Sequence, residues 1–438
     1  MKKSFFASVI CFLCFTSLAM AQFDAALYGL HSIAQSGLYN PAIKSDMRLS
    51  VGLGQTGSSA YSTGFSAFEA LAEGSDVSEN LDNLINQVRS NDIIHLRNDI
   101  NVLYTAFNLT PNMQLSFGGQ INHHAYTQVP VNLLRILRGN NQEDILNKEV
   151  NFGGFGFEFA QTFGIHSGLQ YQINDQWSVG MRAYFFNGFI HYQMRSSDNN
   201  VWAYLGEDEW RLDSDVSIRS SDFVNDETIE LREELPFLNP GYQFDLGVAY
   251  QYNDRLSISA SILGLGSMRY SYGLENTISR GTFDYRGIDV TADNFNINSA
   301  DIIDSLIQSL DFMTNPGEAY SRSRPFTAFL AAHYEWTPRH QFSFINSFNR
   351  WGDLQYINSS LRYLYVPWKH LHGMVNINTF NGRLWGVGAG FQARVNGAQF
   401  FLLTDFMQPN FNISKVRGLS LNLGLNVILF PKREQPKA

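Results

Sequence analysis

Leu419-Ser420-Leu421-Asn422-Leu423-Gly424-Leu425-Asn426-Val427-Ile428-Leu429-Phe430 places an apolar side chain at every odd position and a small or polar one at most even positions. Side chains along a strand point alternately to opposite faces, so one face of this stretch is apolar and the other wet, and about 9 to 11 residues of tilted strand cross a bilayer. A strand of a soluble sandwich carries the same alternation. The start of the chain separates the two cases: Met1-Lys2-Lys3 leads into an apolar run from Phe5 to Leu18, then Ala19-Met20-Ala21 before Gln22. That order reads as a secretory signal peptide with a small-x-small cleavage site after Ala21. An exported chain with alternating strands and no later apolar helical span predicts an all-β fold, an antiparallel transmembrane β-barrel in the outer membrane.

The chain has 438 residues, or 417 after cleavage, which suits one barrel whose strands run past the membrane. Its 35 Phe and 20 Tyr are many, and a barrel needs them on the lipid face and at the two interfacial girdles. Both cysteines, Cys11 and Cys14, lie in the signal segment, so the mature chain has no disulfide, thiol catalyst or cysteine metal site. The net charge of -9 becomes -11 once Lys2 and Lys3 leave, and nothing basic remains to attract nucleic acid.

The expected organisation is a signal peptide over residues 1–21, an N-terminal segment over 22–46, the barrel over 47–430 and a polar tail over 431–438. Besides the closing strand, alternating segments run from residues 49–53 and 101–109 through 212–218 to 398–406. Boundaries read from pattern are loose, so the strand count is about 14, within two. Asn381-Gly382 and Asn396-Gly397 mark tight hairpins, and Asn174-Asp175 and Asn253-Asp254 sit at matching places in two similar strand-turn-strand units. Three segments break the β rhythm with helical spacing: residues 78–88, 130–140 and 300–310.

After the signal the chain reads Leu38-Tyr39-Asn40-Pro41-Ala42. This Asn-Pro-Ala resembles the hatch segment of the long-chain fatty-acid transporter superfamily of barrels. Together with the helical segment ending in Gly139-Asn140, the Gly168 hairpin with its Asn-Asp turn and Trp177-Ser178-Val179-Gly180, the chain resembles a Bacteroidota outer-membrane barrel family, domain of unknown function 5723. The resemblance implies a barrel in the outer membrane, with relatives among fatty-acid-type transporters and type IX secretion accessory barrels. It makes Asn40, Pro41 and Ala42 the hatch candidates and implies no catalytic residue.

Alternation also sorts charge. A cation on the lipid face costs about 2 to 4 kcal/mol at the midplane, so strand charges belong inside. By this argument Arg182, Asp245, Arg362, Gln392, Arg394 and Asp405 face the lumen, where the charged members form an inner network that lines a conduit or braces a closed lumen. No nucleophile elbow, phosphate loop or paired-carboxylate motif sits in a supporting context, so no enzyme, cofactor or metal is expected. Two functions follow. One is uptake or passage of small hydrophobic molecules, with membrane lipid as surroundings. The other is a non-transporting structural or accessory subunit of an envelope or secretion complex, in which loops such as residues 201–222 bind another protein.

Overall fold

The computed structural model describes residues 25–64, 85–86, 88, 92–128, 130–138, 145–195, 200–206, 209–222, 238–285, 311–352, 354–382, 384–407 and 417–431. The expected signal peptide, most of residues 78–88, the stretch 300–310 and all of the expected tail but Pro431 lie outside them. β1 (Met47–Ser62), β2 (Ile93–Thr110) and β3 (Met113–Gln128) form the first meander. Helix α1 (Val131–Arg138) and the short β4 (Glu149–Asn151) precede the long hairpin of β5 (Gly156–Gln172) and β6 (Trp177–Met194). β7 (Asn200–Leu205) and β8 (Trp210–Asp222) come before a second hairpin, β9 (Pro240–Gln251) and β10 (Leu256–Tyr270). β11 (Leu274–Tyr285), β12 (Met313–Pro316) and β13 (Tyr320–Ser323) are followed by β14 (Phe326–Thr337), β15 (His340–Trp351) and β16 (Leu354–Trp368). The chain ends with β17 (Leu371–Phe380), β18 (Leu384–Val395), β19 (Ala398–Met407) and β20 (Gly418–Pro431).

Fourteen of these strands make a closed antiparallel barrel, in the order β1-β2-β3-β5-β6-β9-β10-β14-β15-β16-β17-β18-β19-β20. The seam is β20 on β1, with Leu49 opposite Leu429 and Tyr61 opposite Gly418. Closure leaves no edge strand in the ring, which is what permits strands in hydrocarbon. The two Asn-Gly hairpins have positive φ at both residues, 49° and 64° for Asn381-Gly382 and 47° and 85° for Asn396-Gly397, as a turn matched to strand twist requires.

Two expected strands prove longer. β1 runs to Ser62 and β2 begins at Ile93, whereas the pattern suggested residues 49–53 and 101–109. Residues 54–60 are mostly Gly, Ser, Thr and Gln, so the stretch carries little alternation of its own; its ladders to β2 and β20 hold it extended. Residues 212–218 belong to β8, which lies outside the ring. There β4, β7, β8, β11 and β12 form a sheet that prolongs one wall beyond the rim, joined to β6 where Ile190–Gln193 meet Arg219–Asp222. The presumed loop at residues 201–222 is therefore mostly paired strand. Of the three helical segments, 130–140 contains α1, whose Asn132 Nδ2 donates to the Asn151 carbonyl on β4 at 2.8 Å.

The two rims differ. The β2–β3, β5–β6, β9–β10, β14–β15, β16–β17 and β18–β19 connections are tight turns at one end, and most of the long connections lie at the other. Outward-facing aromatics ring the tight-turn end, among them Trp177, Tyr252, Trp336, Tyr365 and Trp368, and aliphatic and Phe side chains cover the wall above. This is the lipid-facing band with its girdle.

Candidate functional site

Residues 25–46 take no place in the wall. They fold into the tight-turn half of the lumen with one 3-10 turn, Ala34–Leu38, and Ala26, Leu27, Tyr28, Ile33, Gln35 and Asn40 are fully buried. Irregular backbone has no ladder, so its buried carbonyls need side-chain donors. The barrel supplies several of them from two arginines, whose forked guanidinium carries five N–H groups. Arg362 Nη1 on β16 donates to the carbonyls of Ala25, Ala26 and Tyr28 at 3.1, 3.0 and 2.8 Å. Arg182 on β6 donates through Nη1 to Leu38 at 3.0 Å and through Nη2 to Gly37.

The remaining lumen candidates are placed around this plug. Asp245 on β9 pairs with Arg182 at 3.5 Å and accepts from Gln243 Nε2 and the Gly264 amide at 2.8 and 3.0 Å. Gln392 accepts from Ser32 Oγ at 2.7 Å, and Arg394 and Gln399 both donate to the Ser32 carbonyl, at 3.4 and 2.7 Å. Asp405 is buried beside Asn376, whose Nδ2 donates to it at 3.4 Å. The expected single charge network is not what these residues build. Arg182 and Asp245 form an ion pair, while Arg362 and Arg394 spend donors on backbone carbonyls, because the lumen holds chain instead of water.

Asn40-Pro41-Ala42 is the most closely fitted part. Asn40 Oδ1 accepts from the Ala42 amide at 2.9 Å across Pro41, and its Nδ2 donates to Tyr28 Oη at 2.9 Å and to the Ala260 carbonyl at 3.3 Å. Gly180 on β6 and Gly247 on β9 face each other in the ladder, and the proline sits in the notch they leave. A Cβ on Gly180 would lie 2.1 Å from the Pro41 carbonyl oxygen, and one on Gly247 2.1 Å from Asn40 Oδ1. Reading single strands could not find this notch, because it exists only once β6 and β9 pair.

Between these polar contacts the wall also turns apolar side chains toward the plug. Tyr104, Phe329, Ile345, Leu364, Met374 and Phe401 pack against Ala25, Leu27, Tyr28, Ile33 and Leu38. Toward the long-loop mouth the lumen holds two polar groups. Glu158 takes both arms of Arg322 and accepts from His191 at 3.3 Å, and His191 contacts Tyr320 Oη at 2.7 Å. Asp99 binds Arg97, His124 and Asn122 at 2.6, 3.0 and 2.5 Å. Beside them lies a ring cluster of Tyr61, Tyr126, Trp351, Tyr356, Phe380 and Phe406. The enclosed space among these groups is about 10 Å³, room for about one water. Glu158 lies between Phe157 and Phe159, so the alternation rule that selected Asp245 would have selected it too. Among the described residues no three His, Cys, Asp or Glu side chains are grouped to hold a metal.

The model of a family described as Family of unknown function (DUF5723) matches residues 41–405. The chain belongs to this family. The match starts at Pro41 in the notch and ends at Asp405 on β19, so it takes in the whole ring up to the closing strand. No curated protein matches the sequence at a significant level. Among solved structures the chain is similar to a TodX monoaromatic hydrocarbon channel mutant, at 9% identity and a TM-score of 0.46, with 93% of this chain and 95% of that chain covered. It is also similar to a Pseudomonas aeruginosa FadL homologue, at 9% identity, coverage of 90% and 94% and a TM-score of 0.43. A third is the translocator domain of the autotransporter NalP from Neisseria meningitidis, at 6% identity, coverage of 87% and 89% and a TM-score of 0.36. At such identities and scores the likenesses assign no cargo to this family member.

Proposed function

We infer that the protein is an exported outer-membrane barrel, freed of residues 1–21, that passes small hydrophobic molecules and whose lumen is shut by its own N-terminal segment. One observation carries the reading: among its polar side chains the wall turns an apolar cluster, Tyr104, Phe329, Ile345, Leu364, Met374 and Phe401, toward the plug, where a barrel interior is ordinarily polar. The plug is moreover separate from the wall. It contributes no strand to the ring, so it can leave without breaking a ladder, and what it would uncover includes the apolar cluster from Tyr104 to Phe401. Arg182, Arg362 and Arg394 act in this reading as latches on the hatch and not as a conduit for ions.

Deleting residues 25–42 tests this. The variant should still assemble as a heat-modifiable barrel, and it should raise single-channel current in planar bilayers or uptake of a hydrophobic dye well above the full chain. An assembled deletion variant with background permeability to both probes would sink the reading. A second function then gains ground, that of an accessory subunit in an envelope or secretion complex. The sheet beyond the rim favours it, because Trp202 and Tyr204 stand exposed on β7 beside Arg211, Asp215, Arg280 and Asp284. Loss of a co-purifying partner on replacing Trp202 and Tyr204 by Ser would be its signature.

A further inference from the structure

Arg324 is a buried cation that faces neither a carboxylate nor the plug. It stands in the two-residue link between β13 and β14, where β10 bulges at Gly264 and a Cβ would collide with the Pro325 carbonyl. The residue is 7% exposed. Its Nε, Nη1 and Nη2 donate to Gln243, Thr162 and Asn122 at 3.2, 3.3 and 3.5 Å, and the guanidinium carbon lies 3.8 Å from the Phe186 ring centre. These acceptors are neutral and distant, and three bonds leave two of the five N–H groups unused among the described residues. The acids nearby are committed elsewhere: Glu158 to Arg322 and His191, Asp99 to Arg97 and His124, and Asp245 to Arg182. A guanidinium cannot shed its proton, and a buried charge without a counter-charge is strongly unfavourable. Arg324, Thr162 and Asn122 all border the enclosed space of about 10 Å³ toward the long-loop mouth, so the end of the guanidinium looks into it. Tyr270 borders it too, and its Oη has no hydrogen-bond partner among the described residues.

We propose that this space is a binding site for one monatomic anion, a halide such as chloride, held as the counter-charge of Arg324. The two unused N–H groups of the guanidinium donate to the ion, and the Tyr270 hydroxyl is a further donor on the same wall. Glu158 also borders the space, but Arg322 spans both its oxygens, so that pair brings no net charge there. A water in the same place would offer a dipole and leave the charge uncompensated. Size sets the class: room for about one water admits a halide and refuses sulfate or the carboxylate of a chain-bearing acid. Once bound, the ion stabilises the side chain that ties the β13–β14 link to β3, β5 and β9 across the lumen. The site does not depend on what the barrel passes, and neither measurement below reads conduction.

The test has two arms. Crystals of the folded barrel grown in sodium bromide should show one anomalous peak in contact with the Arg324 guanidinium. A water there, or no density, overturns the proposal, and this arm needs no variant. The second arm is denaturant unfolding in uncharged phosphocholine vesicles at constant ionic strength, with chloride exchanged for gluconate. The folding equilibrium should rise about tenfold or more between no chloride and about 0.3 M, as for an ion that binds only the folded state with a Kd of about 30 mM or below. Bromide should act as chloride does, while sulfate and octanoate should leave the equilibrium where gluconate does. Arg324→Gln should remove the chloride dependence, and Arg339→Gln, at the exposed β14–β15 turn, should keep it. Equal protection by sulfate or octanoate overturns the proposal, as does chloride dependence that persists in Arg324→Gln or vanishes in Arg339→Gln. If Arg324→Gln fails to assemble, the bromide peak and the anion series on the unmodified chain decide alone.

Discussion

At the residue scale, the face a side chain occupies decides what it tolerates. Along β20 the leucines at 421, 423, 425 and 429 point outward, and Ser420, Asn422 and Asn426 are fully buried on the inner side. The outward set obeys lipid depth. Leu423 pairs with Thr56 and Leu402 near the middle of the strand, and Leu429 lies close to its end. Leu423→Arg should therefore cost about 2 to 4 kcal/mol and Leu429→Arg about 0 to 1 kcal/mol, by the depth dependence of a cation in the bilayer. Denaturant unfolding in lipid vesicles measures both, and equal costs would contradict the register. The inner set follows another rule. Alternation suggests a wet face there, on which Asn422→Arg would be nearly free, but Asn422 is enclosed, so the longer side chain overpacks the lumen instead.

At the element scale, the hatch and the strands beneath it were specified by different signals. Asn40-Pro41-Ala42 stands out in the sequence, since proline fixes its own φ and biases its predecessor toward extended backbone. Its receptor does not stand out, because glycine in a strand also marks bulges and bends. Only the ladder of β6 and β9 brings Gly180 opposite Gly247. Gly247→Leu should push the hatch out of its notch, with about 1 to 2 kcal/mol of overpacking giving roughly a five- to thirtyfold larger detached fraction. Limited proteolysis of residues 25–42 in the folded barrel reads that fraction. Unchanged cleavage in a heat-modifiable Gly247→Leu barrel would show that the notch does not hold the plug.

At the scale of the whole molecule, closure is the property on which the rest depends. The seam joins the first and last strands of the ring, so neither hairpin formation nor local propensity can complete it, and until β20 docks both β1 and β19 are open edges. Truncation after Met407 should leave no heat-modifiable species on gels and no protection of membrane-embedded segments from protease. An assembled barrel without residues 418–431 would mean that β19 can close directly on β1, and the fourteen-strand ring would need revision. The sheet beyond the rim should survive less directly, since it is tied to the ring through a four-residue ladder between β6 and β8.

What the sequence determined by itself is whatever repeats with a period of two or sits in a short turn. The all-β barrel, its ring strands from β5 onward and both Asn-Gly hairpins were legible, because each depends on alternation or on local backbone chemistry. Tertiary structure alone decided which strands leave the ring, as with residues 212–218, whose alternation is that of any half-buried strand. It also decided that the lumen is packed by the N-terminal segment, that Arg362 and Arg394 bind its backbone carbonyls while Arg182 binds both carbonyls and Asp245, and that Gly180 and Gly247 stand opposite each other. The physical reason is common to all of them. A strand's sequence states which face is apolar, whereas what stands across the lumen from that face is chosen by residues more than a hundred positions away, as Arg362 and Tyr28 or Glu158 and Arg322 show.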